Sequence, residues 1–80
     1  MNLRIITQER EILNTEAESV TLPGTLGQMQ ILTGHTKLLS TLKSGNVRYQ
    51  LHGNSQEIAV GGGLAEVFQN NIVVLAKSRA

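Results

Sequence analysis

Apolar residues recur at every second position through much of this chain, which is the signature of strands with one buried face. Gln28-Met29-Gln30-Ile31 alternates strictly and puts Met29 and Ile31 on one side; Asn46 to Leu51 does the same with Val47, Tyr49 and Leu51. Leu3-Arg4-Ile5-Ile6-Thr7, Ala17 to Leu22, Ile58-Ala59-Val60 and Leu64 to Phe68 predict further short strands. Ile72-Val73-Val74-Leu75 is unbroken and predicts a strand buried on both faces. Turn residues punctuate these segments. Pro23-Gly24 is expected to stop its strand, because proline lacks a ladder donor and glycine permits a left-handed turn. His52-Gly53-Asn54-Ser55 reads as a turn cluster and Asn70-Asn71 as a hairpin turn, since asparagine tolerates positive φ. Over Thr36 to Lys43, Leu38, Leu39 and Leu42 fit one helical turn as well as a strand. The fold class expected is all-β, a small antiparallel β-sandwich or flattened barrel of short strands. No repeat or linker divides residues 1–80, so a single domain is expected.

Composition narrows the class. A chain of 80 residues buries only roughly 60–65% of its unfolded surface, so its stability margin is thin. Tyr49 and Phe68 are the only aromatics, which makes the core aliphatic. The net charge is +1, and the scattered Arg4, Arg10, Lys37, Lys43, Arg48, Lys77 and Arg79 form no basic footprint for nucleic acid. There is no cysteine, so disulfides and thiolate metal sites are excluded, and no aspartate to hold Mg²⁺ at a phosphate-transfer site. The longest apolar run, Ile72 to Ala76, is far short of the roughly 20 residues that span a bilayer as a helix. Membrane association is expected to be peripheral or made through a partner.

Candidate chemistry is sparse. Gly61-Gly62-Gly63 invites a phosphate-binding reading, but no Lys-Ser/Thr pair follows and the next segment reads as a strand. A bend where another backbone comes close is the expectation instead. His35 has only His52 as a second imidazole and no aspartate or cysteine beside it, so a structural or interface histidine is favoured over a base or ligand. Glu16, Glu18, Glu57 and Glu66 sit in or beside alternating segments and read as a solvated strand face. Ser19, Ser40 and Thr41 lack the strand–turn–helix context of a nucleophile. The stretch from Leu22 to Leu42 instead spends two glycine turns and an apolar group, Leu26, Met29, Ile31, Leu38, Leu39 and Leu42, on shape. Most of that group is expected in the core. Leu26, between Thr25 and Gly27, is the best candidate for exposure, and the stretch as a whole points to contact with another protein.

Four motifs now combine: Glu18 to Gly24 (ESVTLPG), Gly27 to His35 (GQMQILTGH), Leu38 to Gly45 (LLSTLKSG) and Gly61 to Val67 (GGGLAEV). In this order and spacing, with Leu3 to Thr7 as the opening strand, the chain resembles the epsilon subunit of F-type ATP synthase, in its cyanobacterial, plastid and bacterial branches. The resemblance runs from end to end. It implies a β-sandwich that in the family is followed by a C-terminal helical hairpin; here the sequence stops at Ala80, so the hairpin is expected to be absent, and with it inhibition of ATP hydrolysis and ATP binding.

The resemblance also implies a role: a non-catalytic central-stalk (rotor) subunit that docks gamma onto the c-ring and couples proton flow to ATP synthesis. It implies no cofactor and no bound nucleotide. The location implied is the F1 side of an energy-transducing membrane, either the bacterial plasma membrane or the thylakoid. Carried over by position, the c-ring contact is Leu26, Gly27, Gln28 and Met29. The gamma contact is Thr7, Gln8, His35, Leu38, Leu39 and Ser40. This chain departs from the family where an acidic residue is usual, now Gln28, and where glycine commonly follows Met29, now Gln30. The family's proline–glycine–histidine–alanine–proline is here Thr33-Gly34-His35-Thr36-Lys37, which frees the loop and adds a charge. These changes keep a second reading open, the same sandwich reused as a free-standing binding module in a divergent short-form ATPase. A small enzyme centred on His35 is the third and weakest.

Overall fold

The computed structural model describes residues 1–34 and 37–78. Seven strands follow one another, β1 (Asn2–Ile6), β2 (Glu11–Glu16), β3 (Ser19–Gly24), β4 (Gly27–Leu32), β5 (Leu38–Leu51), β6 (Asn54–Phe68) and β7 (Asn71–Ala76). They form one sheet in the order β2-β1-β7-β6-β5-β3-β4. Every pairing is antiparallel except β1 with β7, where the first and last strands run side by side in parallel.

Two long strands turn this sheet into a sandwich. On β5 the inward positions are Leu38, Ser40 and Leu42, then after the exposed Lys43 and Ser44 they become Gly45, Val47, Tyr49 and Leu51. On β6 the inward set switches from Ile58, Val60 and Gly62 to Ala65 and Val67. The side-chain period is two, so a one-residue change of phase moves the other face of the strand to the core. Each strand therefore belongs to both layers. The first part of β5 and the second part of β6 lie with β7, β1 and β2; their other halves lie with β3 and β4.

Glycine makes the bend possible. Gly62 and Gly63 have φ of 97° and 145°, where a side chain is strained, and a Cβ on Gly63 would lie 2.1 Å from the Leu75 carbonyl oxygen. The backbone of β7 comes that close, as expected for the glycine run. Between the layers lies one aliphatic core in which Leu3, Ile5, Val20, Leu22, Val47 and Val74 are wholly buried.

Several sequence expectations are corrected. Leu38 to Lys43 is strand throughout, because pairing with Leu64–Val67 settles a segment too short for its own periodicity to decide. Pro23 and Gly24 lie inside β3; the ladder to β5 is interrupted between Thr21 and Gly24, so the missing proline donor costs no bond there. The turns fall at His52-Gly53 and Gln69-Asn70, all four with positive φ, leaving Asn54, Ser55 and Asn71 in strands. Ile72 to Leu75 is buried on one face only, with Val74 enclosed and Leu75 about half exposed. The segments read as short strands around the glycine run are one strand of 15 residues. β2 was not expected at all; its exposed, polar sequence carries almost no apolar signal.

Candidate functional site

The β3–β4 hairpin ends in an exposed tip. Gly24 and Gly27 face each other across the two-residue turn Thr25-Leu26. A Cβ on Gly24 would sit 2.6 Å from the Gly27 carbonyl oxygen, and Gly27 has φ of 137°, so both positions require glycine. Leu26 at the tip is fully exposed. The tip is braced from behind: the Thr25 amide donates to the Thr41 carbonyl at 3.1 Å, and the Thr25 and Thr41 hydroxyls lie 2.7 Å apart. Gln28 is exposed, whereas Met29 points inward and packs half-buried against the core. Of the four residues expected at the c-ring, three are surface and Met29 is their support.

A second surface lies on the outer face of the other layer. Leu39, Leu64, Val73 and Leu75 line a shallow depression of about 110 Å³ together with Glu66. Leu64 pairs with Leu75, Glu66 with Val73, and Leu39 with Glu66, so the strip crosses three strands. Leu39 and Leu75 are 66% and 52% exposed, an unusual outlay of large aliphatic surface in so small a domain. At one end Lys37 Nζ lies 5.6 Å from the centre of the Phe68 ring, a cation–π contact.

Leu64 and Leu75 also border a larger groove of about 660 Å³, which continues to Thr7 and Gln8 and takes in the glycine run. Thr7 is fixed there. Its amide donates to the Arg10 carbonyl at 2.8 Å, and its hydroxyl donates to the same oxygen at 3.1 Å and accepts from the Arg10 amide at 3.3 Å. Gln8, at the tip of that turn, is exposed.

Of the residues expected at gamma, the structure thus joins Thr7, Gln8 and Leu39 through Leu64 and Leu75. Leu38 points the other way, toward the core, and Ser40 is inward and half-buried with its hydroxyl on the Thr41 carbonyl. His35 lies outside the described residues. Leu64, Val73 and Leu75 were missed because a continuous apolar run gives no phase; the Asn71 start of β7 and the glycine bend set which residues face out.

Among the described residues no three of His, Cys, Asp or Glu come together. Glu16, Glu18, Glu57 and Glu66 are all exposed, as the alternation suggested. His52 sits in a turn with its amide donating to Glu18 Oε1 at 3.0 Å.

Comparison with known proteins adds a family. The beta-sandwich domain of the ATP synthase delta/epsilon chain matches residues 1–79. An ATP synthase epsilon chain of Desulfitobacterium hafniense is 40% identical over 74 residues, which are 92% of this chain and 56% of that one. The epsilon chain of Gloeothece citriformis is 44% identical over 75 residues, 94% of this chain and 54% of its own. The chain therefore spans a little over half the length of these relatives. A chain in a cryo-EM structure of Euglena gracilis mitochondrial ATP synthase (OSCP, F1 and c-ring, rotational state 1) shares the fold with a TM-score of 0.85 at 23% identity, over 92% of this chain and 48% of that one. One in the central stalk and c-ring of Tetrahymena thermophila ATP synthase does so with a TM-score of 0.78 at 16% identity, over 98% and 63%.

Proposed function

Because the chain belongs to the beta-sandwich domain family of ATP synthase delta/epsilon chains, we propose that it is a non-catalytic rotor subunit of an F-type synthase. It seats gamma on the c-ring and helps couple ion flow to ATP synthesis. The observation that carries this reading is the pairing of two separate, rigidly presented surfaces on one small domain. The braced tip Leu26-Gly27-Gln28, backed by Met29, suits a loop of the c-ring. The strip through Leu39, Leu64, Val73 and Leu75, with Thr7 and Gln8 at its far end, suits gamma. Within that contact set Leu39 carries the apolar contact, while Leu38 and Ser40 hold the strand in place from the core side; His35 belongs to the same proposed contact.

A domain that transmits torque between two partners must not deform. The continuous β5 and β6 serve this, since each runs through both layers and ties the two surfaces together by backbone hydrogen bonds. The complex would hold the chain at the F1 side of an energy-transducing membrane. Among the described residues no helix is long and apolar enough to cross one.

Isothermal calorimetry of the chain against the gamma subunit of the same organism tests the proposal. Stoichiometric binding at micromolar concentration, weakened at least about tenfold by Leu39→Asp, is expected. Absence of binding overturns it. A second reading, a binding module detached from the synthase, is favoured by the neutral Gln28 and Gln30 on the exposed face of β4. It predicts a gene that lies apart from those of other synthase subunits.

A further inference from the structure

The groove beside Thr7 and Gln8 carries charge of one sign only. Lys43 and Lys77 both line it, and no carboxylate does. The chain has six acidic residues, all glutamate, and none lines this groove. Glu11 lies 3.5 Å from Arg4 Nε and Glu16 lies 3.7 Å from the terminal amine. Glu18 accepts from the His52 amide and Glu57 from Asn46. Glu66 borders the Leu39 strip; Glu9 shares a neighbouring depression with Lys77, and Glu57 one with Lys43, but neither carboxylate reaches ion-pair distance of them. Among the described residues neither lysine forms an ion pair. Between the two ammonium groups the floor is glycine backbone, and Ile6, Leu42, Leu64 and Leu75 supply apolar walls.

We infer that this groove receives an acidic, amphipathic segment of its protein partner, with carboxylates set between Lys43 and Lys77 and apolar side chains against the walls. The inference rests on the reading that Thr7, Gln8 and Leu39 face gamma, and it names the chemistry gamma presents there. The reason is desolvation. A partner bringing only apolar groups would bury two uncompensated ammonium groups, which is strongly unfavourable. A partner bringing lysine or arginine would be repelled. Carboxylates satisfy the cations and fix the register of the segment. The bend makes the placement stereochemically firm. Lys43 stands on β5 where that strand changes layers, beside Gly62, and Lys77 follows β7 with its amide donating to the Gly62 carbonyl at 2.9 Å. The two lysines thus flank the glycine bend, and both line the groove it floors.

Calorimetry with the gamma subunit of the same organism, at about 50 and about 500 mM NaCl, tests this. The parent chain is expected to lose affinity as salt rises. Lys43→Glu with Lys77→Glu is expected to weaken binding at low salt by at least tenfold and to remove most of the salt dependence, with an unchanged circular dichroism spectrum. Arg48→Glu, on the opposite half of β5, controls for net charge and is expected to change affinity less than about threefold. Binding of the double variant equal to the parent overturns the inference and leaves the proposed function standing. Equal weakening by Arg48→Glu also overturns it, because the effect is then one of overall charge. If the parent chain does not bind gamma at all, both readings fall together. A salt-sensitive self-association of the chain alone, lost in the double variant, would assign the groove to a second copy and overturn it too.

Discussion

At the scale of single residues, the glycines separate by what surrounds them. Gly63→Ala must place a methyl group 2.1 Å from the Leu75 carbonyl oxygen at a φ of 145°. Backbone on both sides cannot yield without breaking the β6–β7 ladder, so a loss of more than about 3 kcal/mol is expected, read from urea denaturation. Gly34→Ala is the contrast. Its nearest neighbour is the Leu32 carbonyl at 4.0 Å and its φ is not positive, so a change within about 0.5 kcal/mol is expected in the same measurement. A Gly34→Ala variant as damaged as Gly63→Ala would mean that the close backbone approach at Gly63 is not what sets the cost there. Leu26 behaves as a surface residue although it is aliphatic. Leu26→Asp is expected to leave the circular dichroism spectrum and melting temperature unchanged while weakening capture by c-ring loops; unfolding would show the tip to be part of the core. Leu22→Ala, in the wholly buried centre, is expected to cost about 2–5 kcal/mol.

At the scale of elements, what could be read from sequence followed the clarity of the period. β4 and the second half of β5 alternate strictly and were found with their inward faces correct. β5 and β6 as whole strands were not legible, because each reverses its inward face at the bend and so reads as two fragments separated by glycine. β2 was invisible because it is an edge strand facing solvent, where only Leu13 and Thr15 turn toward the core. At the candidate site the exposed Leu26 was found from its turn residues, whereas Val73 and Leu75 were hidden in an apolar run. Turn chemistry can be read in the same way at the β6–β7 hairpin. Gln69 and Asn70 have φ of 48° and 62°, a turn with both central residues left-handed, for which asparagine then glycine is preferred. Asn70 also accepts from the Gly34 amide at 3.2 Å, so its side chain is not free to change. Gln69→Asn alone is expected to stabilise the domain by about 0.5 kcal/mol, a rise of roughly 2–4 °C in Tm. A lower Tm would mean that the Gln69 side chain contributes a contact beyond its φ.

At the scale of the whole molecule, closure depends on the pairing of elements far apart in sequence. β1 lies between β2 and β7, and its pairing with β7 joins the first and last strands of the chain in parallel. Its inward residues Leu3 and Ile5 are wholly buried. At about 0.05–0.15 kcal/mol per residue, a domain of this length is stable by roughly 4–12 kcal/mol in all. Two buried aliphatic side chains at about 2–5 kcal/mol each consume most of that margin before the lost ladders to β2 and β7 are counted. The half-sandwich built by β3, β4 and the neighbouring halves of β5 and β6 therefore has no independent stability, since its core residues Val20, Leu22 and Val47 would face water. Removal of residues 1–6 is expected to abolish the cooperative thermal transition seen for the intact chain and to leave a spectrum without strand signal. A truncated chain that still melts cooperatively would show that the long strands carry a folding unit of their own. The same coupling would suit the domain to the proposed rotor role: a load applied at Leu26 passes from the β3–β4 hairpin through β3 to β5, and β5 runs on into the strands that support the Leu39 strip.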